Sequence, residues 1–249
     1  MSKRPTPDEY IQHLDTRLTA HRNWLGAVLA RVLADDPAAL DRGGALHRIW
    51  SGGASTENSD PLLTSVPYYS QRDSAQRDQR DRTCFSSSCA MLLEAVKPGT
   101  LQGANGDDQY LAVVQRFGDT TDASAQLQAL AHFGVKARID RRADFLLIEQ
   151  QIQRGIPVPC GYLHRGPVDR PTGSGHWLIV YGHTRTHVVV HDPWGEPDLL
   201  AGTTLSPNGE GLRFSRQNFG RRWMVEPTAG GVYRYAPGNG WAIVVDEVL

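Results

Sequence analysis

Apolar residues recur at helical spacing over residues 8–34: Tyr10 and Ile11, Leu14, Leu18, Trp24 and Leu25, Val28 and Leu29, Val32 and Leu33. Pro7-Asp8-Glu9 suits a helix start, and Pro37 with Gly43-Gly44 ends the region. A short second helix is expected over 45–50. The stretch 51–61 is small and polar and reads as a linker. The expected division is a helical extension and linker over 1–60 and a main domain over 61–249.

In the main domain the pattern predicts a short strand over 63–69 and a polar loop over 71–82. A helix follows over 84–96, stopped by Pro98-Gly99. Two more helices are expected over 107–117 and 123–133. In the second, Leu127, Leu130 and Phe133 suit one face, and Gly134 suits the C-terminal cap. From Val135 onward short apolar runs predict strands at 135–139, 158–163, 176–181, 188–191 and 241–246, with a helix at 145–154. Helices first and strands later imply an α+β fold with helices packed on an antiparallel sheet.

Composition narrows the function classes. The chain has 249 residues, 40% apolar and 21% charged, and a net charge of -1, so neither nucleic acid nor an anionic membrane is an expected partner. No apolar run is long enough to cross a bilayer, so membrane insertion is not expected. The first residues lead into a charged segment, not an apolar signal core. The expected location is therefore the cytoplasm at synthesis. Three cysteines are too few for a disulfide framework, and none has paired CxxC spacing for structural zinc. No cofactor or metal is expected.

Candidate chemistry centres on Cys84. It opens the predicted 84–96 helix, where free N–H groups and the helix dipole favour thiolate. A polar loop precedes it, and Ser86, Ser87 and Ser88 follow, leaving room for a substrate backbone. Cys89 lies about 500° further round the helix and faces elsewhere. Cys89 and Cys160 read as core, the usual state of a free cysteine. Of nine histidines, His132, His164, His183, His187 and His191 need no special role. His176 differs, because it stands between the turn Gly173-Ser174-Gly175 and the buried-type strand that starts at Trp177. That puts its imidazole at the sheet rim, able to act as base toward a cysteine. Asp192 closes the next strand, and a hairpin through 182–187 would set it beside His176 as orienting acid. A turn aspartate before Pro193 is the competing reading. Gln71 is a candidate side-chain donor to an oxyanion, with Gln76 and Gln79 as competitors.

Four blocks carry a resemblance: Val66-Pro67-Tyr68-Tyr69-Ser70-Gln71, Thr83-Cys84 with Ala90-Met91-Leu92-Leu93, Gly175-His176-Trp177-Leu178-Ile179-Val180, and Val190-His191-Asp192-Pro193-Trp194-Gly195. In this order they resemble papain-like cysteine peptidases of the bacteriocin-processing type, in the stand-alone bacterial and phage branch. The resemblance implies a papain-like fold over about 63–246. It implies Gln71 as oxyanion donor, Cys84 as nucleophile, His176 as base and Asp192 as orienting acid. It also implies a peptide or peptidoglycan substrate, as for a phage lysin or virion-associated wall hydrolase. Two differences stand out. Phe85-Ser86 follows the cysteine where relatives often carry Gly-Pro, and Gln71 precedes Cys84 by thirteen positions, a wider gap than in the bacteriocin processors. A cytoplasmic protein-processing protease, a non-catalytic peptide-binding module, and an amidase or transglutaminase using the same residues are the alternatives.

Overall fold

The computed structural model describes Leu63, residues 66–229 and residues 231–249. The expected helical extension and the boundary near residue 60 lie outside the described residues. In chain order the elements are α1 (Cys84–Val96), α2 (Gly106–Val114), α3 (Ala123–His132), β1 (Val135–Ala143), α4 (Phe145–Gln153), β2 (Val158–Tyr162), β3 (His176–His183), β4 (His187–His191), β5 (Glu196–Asp198), β6 (Thr203–Ser206), β7 (Leu212–Ser215), α5 (Arg216–Trp223), β8 (Val225–Pro227), β9 (Tyr233–Tyr235) and β10 (Gly240–Val248).

The main sheet has six strands in the order β1-β10-β2-β3-β4-β7, and every pairing is antiparallel. Its central strands are apolar at successive positions because both faces are covered. Ile179, Ile243 and Val245 point into one core with α1, α2 and α3. Their neighbours Leu178, Val180, Ala242 and Val244 point into a second core with α4 and α5. The period-two alternation of a strand thus sorts adjacent side chains to opposite layers. The architecture is α+β, with helices packed on an antiparallel sheet.

The central helix is α1. Nine successive residues, Phe85 to Leu93, are buried, so the helix is enclosed nearly all round. It stops at Lys97, which precedes Pro98 and has left helical geometry (φ -136°, ψ 73°). At the other end Phe85 stacks on Trp177, with ring centroids 3.7 Å apart and planes 2° from parallel. The residue after Cys84 is thereby fixed to the residue after His176.

Two local expectations are corrected. The described part of 63–69 is extended but pairs into no strand. Leu63 only donates its N–H to the Tyr181 carbonyl (2.9 Å), and Tyr69 packs into the first core. The 107–117 helix ends at Val114, after which Arg116 and Phe117 close tighter turns, each bonding the carbonyl three residues back. In α3, Asp122 caps the start through Ser124 N–H, and Gly134 follows the end with φ 78°, a conformation suited to glycine.

Candidate active site

Cys84 is the first residue of α1, so its N–H has no partner within the helix. Unlike the following nine residues it is only half-buried. It lines a cleft of about 400 Å³ together with Gln71, His176 and Asp192. All four candidate residues therefore meet in one place.

The sheet explains how. His176 opens β3, paired with Tyr162 at the end of β2. β4 ends at His191 opposite Ile179, so the chain leaving it runs toward the start of β3. Asp192 is the next residue, and its Oδ1 lies 2.6 Å from His176 Nε2. The other ring nitrogen is left for Cys84, which lines the same cleft and whose charge acts on the ring. Burial disfavours the charged ring, but the negative charges of Asp192 and Cys84 outweigh it and push His176 from 6.5 up to about 10. The turn-aspartate reading of Asp192 is also partly correct, since its Oδ1 accepts the Trp194 N–H (2.9 Å).

Gln71 is the first residue of a 3-10 turn, Gln71–Asp73, capped by Ser70. Its N–H is pinned to the Pro193 carbonyl (3.1 Å) and its side chain is 1% exposed. Its Nε2 donates to Arg80 O (2.5 Å), which leaves a second N–H for a ligand in the cleft. The competitors are engaged elsewhere: Gln76 bonds Gln115, and Gln79 bonds Asp78. Neither lines the cleft. Cys89 and Cys160 are fully buried, which pushes both thiols well up and keeps them neutral.

Several residues with no part in the sequence reading complete the site. Tyr162 donates its hydroxyl to Asp192 Oδ2 (2.9 Å), so every oxygen of that buried carboxylate has a donor. A buried tyrosine needs such a partner, and this was the one available signal. Gly209 is required where it stands, because a Cβ there would come within 2.0 Å of the Asp192 carbonyl. Arg222 is 0% exposed and donates to the carbonyls of Leu163, Arg165, Gly166 and Leu199. It thereby ties two segments of the cleft wall together. His164 lines the cleft too, its ring 5.7 Å from that of His176. Burial and the neighbouring His176 charge push it down to about 4, so it stays neutral.

Among the described residues no group of His, Cys, Asp or Glu is placed to hold a metal ion, and no helix is long and apolar enough to cross a membrane.

The sequence model of the Peptidase C39 like family matches residues 63–204, more than half of the chain. No curated protein matches. Similar solved structures include the peptidase domain of Streptococcus ComA, a bifunctional ABC transporter of a quorum-sensing pathway (17% identity, 72% of this chain and 97% of that one, TM-score 0.44). A putative C39-like peptidase from Bacillus anthracis is 14% identical over 76% of this chain and 98% of its own, with a TM-score of 0.47. A cysteine protease of Carica candamarcensis is 15% identical over 74% and 95%, with a TM-score of 0.43.

Proposed function

Since this chain belongs to the peptidase C39-like family, and is a cysteine peptidase on that account, we propose that it cuts amide bonds through Cys84, His176 and Asp192, with peptidoglycan peptides as its substrate. One observation carries the mechanism: a single buried imidazole bonds Asp192 through Nε2 and shares one cleft with Cys84.

The cycle starts from thiolate and imidazolium. The sulfur attacks the scissile carbonyl, forming a C–S bond and an oxyanion. The Cys84 N–H and the free Gln71 N–H stabilise that oxygen. On collapse the C–N bond breaks, and His176 gives its proton to the departing amine. Water then attacks the thioester, His176 takes the water's proton, and the acid leaves as the ion pair is restored. Asp192 holds the ring's tautomer and opposes its positive charge. Tyr162 and the Trp194 N–H hold Asp192 in turn.

The substrate reading rests on the resemblance of the four sequence blocks to stand-alone bacterial and phage members. The cleft's character agrees with it: Ser174, Gly175, Gly195, Gly202, Thr203 and Thr204 line it, giving small polar walls suited to a peptide backbone. The test offers purified peptidoglycan and a denatured protein to the wild type and to Cys84→Ala, with products read by mass spectrometry. Wall fragments from the wild type alone are expected. Fragments from the protein alone would make this a protein-processing protease, and equal products from the variant would remove Cys84 from the reaction.

A further inference from the structure

A second pocket adjoins the cleft. It has a volume of about 360 Å³ and is lined by Arg72, Trp194, Thr204, Leu205, Ser206 and Pro207. Trp194 and Thr204 line both spaces, so a chain leaving one enters the other. None of the six residues carries a negative charge. Arg72 stands over the Trp194 ring, its Cζ 4.4 Å from the centroid, and donates from Nη1 to the Trp194 carbonyl (3.4 Å). Among the described residues no carboxylate lies within ion-pair distance of Arg72. An indole under the guanidinium holds its position and leaves in-plane N–H groups free, the geometry that matches a carboxylate.

The placement also tells which part of a substrate reaches it. His176 protonates the departing amine, so the leaving portion lies on the His176 side of the sulfur. Asp192 lies beyond His176, and Trp194 is bonded to Asp192. The leaving portion therefore passes over Trp194. We propose that the Arg72–Trp194 pocket is a specificity subsite that binds a carboxylate on the leaving-group side of the scissile amide. The 3-10 turn Gln71–Asp73 then serves both ends of the reaction: Gln71 faces the oxyanion and Arg72 faces the departing fragment. This subsite rests on the mechanism and cleft assignment above.

The test uses two probes, soluble peptidoglycan fragments and random-sequence peptides. Each is offered with its carboxylates free or converted to amides by carbodiimide and ammonia. The readout is the ratio of kcat/KM for the free and amidated forms. The wild type is expected to prefer the free form by about two- to fivefold, the scale of one exposed ion pair. High salt narrows the ratio, because the pair is exposed. Arg72→Gln brings the ratio close to one, Arg72→Lys keeps part of it, and Arg72→Glu inverts it. Equal rates on both forms by the wild type, or an unchanged ratio in Arg72→Gln, would overturn the subsite while leaving the peptidase mechanism intact. If the wild type cuts neither probe in either form, the underlying substrate reading fails and the subsite falls with it.

Discussion

Cys84→Ala is expected to lower kcat/KM for amide hydrolysis by about 10⁵-fold, because the acyl-enzyme route disappears with the sulfur. The remaining groups can bind a substrate and stabilise an oxyanion, but only water is left to attack. The side chain is small, half-buried and at the end of a helix, so its truncation removes little packing. The thermal unfolding midpoint of the variant is therefore expected to stay close to that of the wild type. Initial rates on the substrate that the peptidoglycan and protein assay identifies, beside a melting curve, check both statements. A folded variant that retains a tenth of the activity would exclude the proposed nucleophile.

Asp192→Ala is expected to cost about 10³-fold in kcat and to move the alkaline limb of the pH profile downward. The sign follows from the two states of His176. In the folded protein the ring is raised from 6.5 to about 10, burial being outweighed by Asp192 and Cys84. The proton donor therefore persists through neutral pH, and activity falls as pH rises through about 10. The same shift stabilises the fold: the contribution is fully present below 6.5 and is lost as pH rises through about 10. Without the carboxylate, burial still pushes the ring down while its main opponent is gone. The limb then moves toward 6.5 or below. Asp192→Asn keeps an oxygen acceptor but not the charge, so its limb should fall between the two. The Ala variant also leaves the Tyr162 hydroxyl buried without its acceptor, at a cost of about 1–3 kcal/mol. Rate profiles from about pH 5 upward, which span the ordinary histidine range, distinguish this from a mere loss of stability. A variant that loses rate with no movement of the limb would show that Asp192 does not set the charge of His176.

The parts of this fold that were legible in sequence are those with local causes. The bounds of α1 follow from a polar loop before Cys84 and Pro98-Gly99 after Val96, and the structure places the helix at Cys84–Val96. The β3–β4 hairpin was legible for the same reason, since its apolar runs sit close together with a short turn between them. The juxtaposition of His176 and Asp192 follows from that hairpin. The insertion of β10 between β1 and β2 was not legible, because strand order is decided by packing between distant segments. β7 and α5 escaped for another reason. Arg216–Trp223 has only Phe219 and Trp223 as apolar anchors, too few to show a helical period. Tyr162 and Arg222 act through partners 30 and 59 residues away, a relation no spacing reveals. Gln71 was distinguishable from Gln76 and Gln79 only once the 3-10 turn placed it against Pro193.

The central claim is that the Cys84 sulfur and the His176 ring hold opposite charges in one groove. Its most direct test is an NMR titration of the His176 imidazole in the wild type and in Cys84→Ala. The wild-type ring is expected to stay protonated until about pH 10, and the ring of the variant to release its proton at clearly lower pH, having lost the neighbouring negative charge. Identical titrations close to 6.5 in both proteins would contradict the claim.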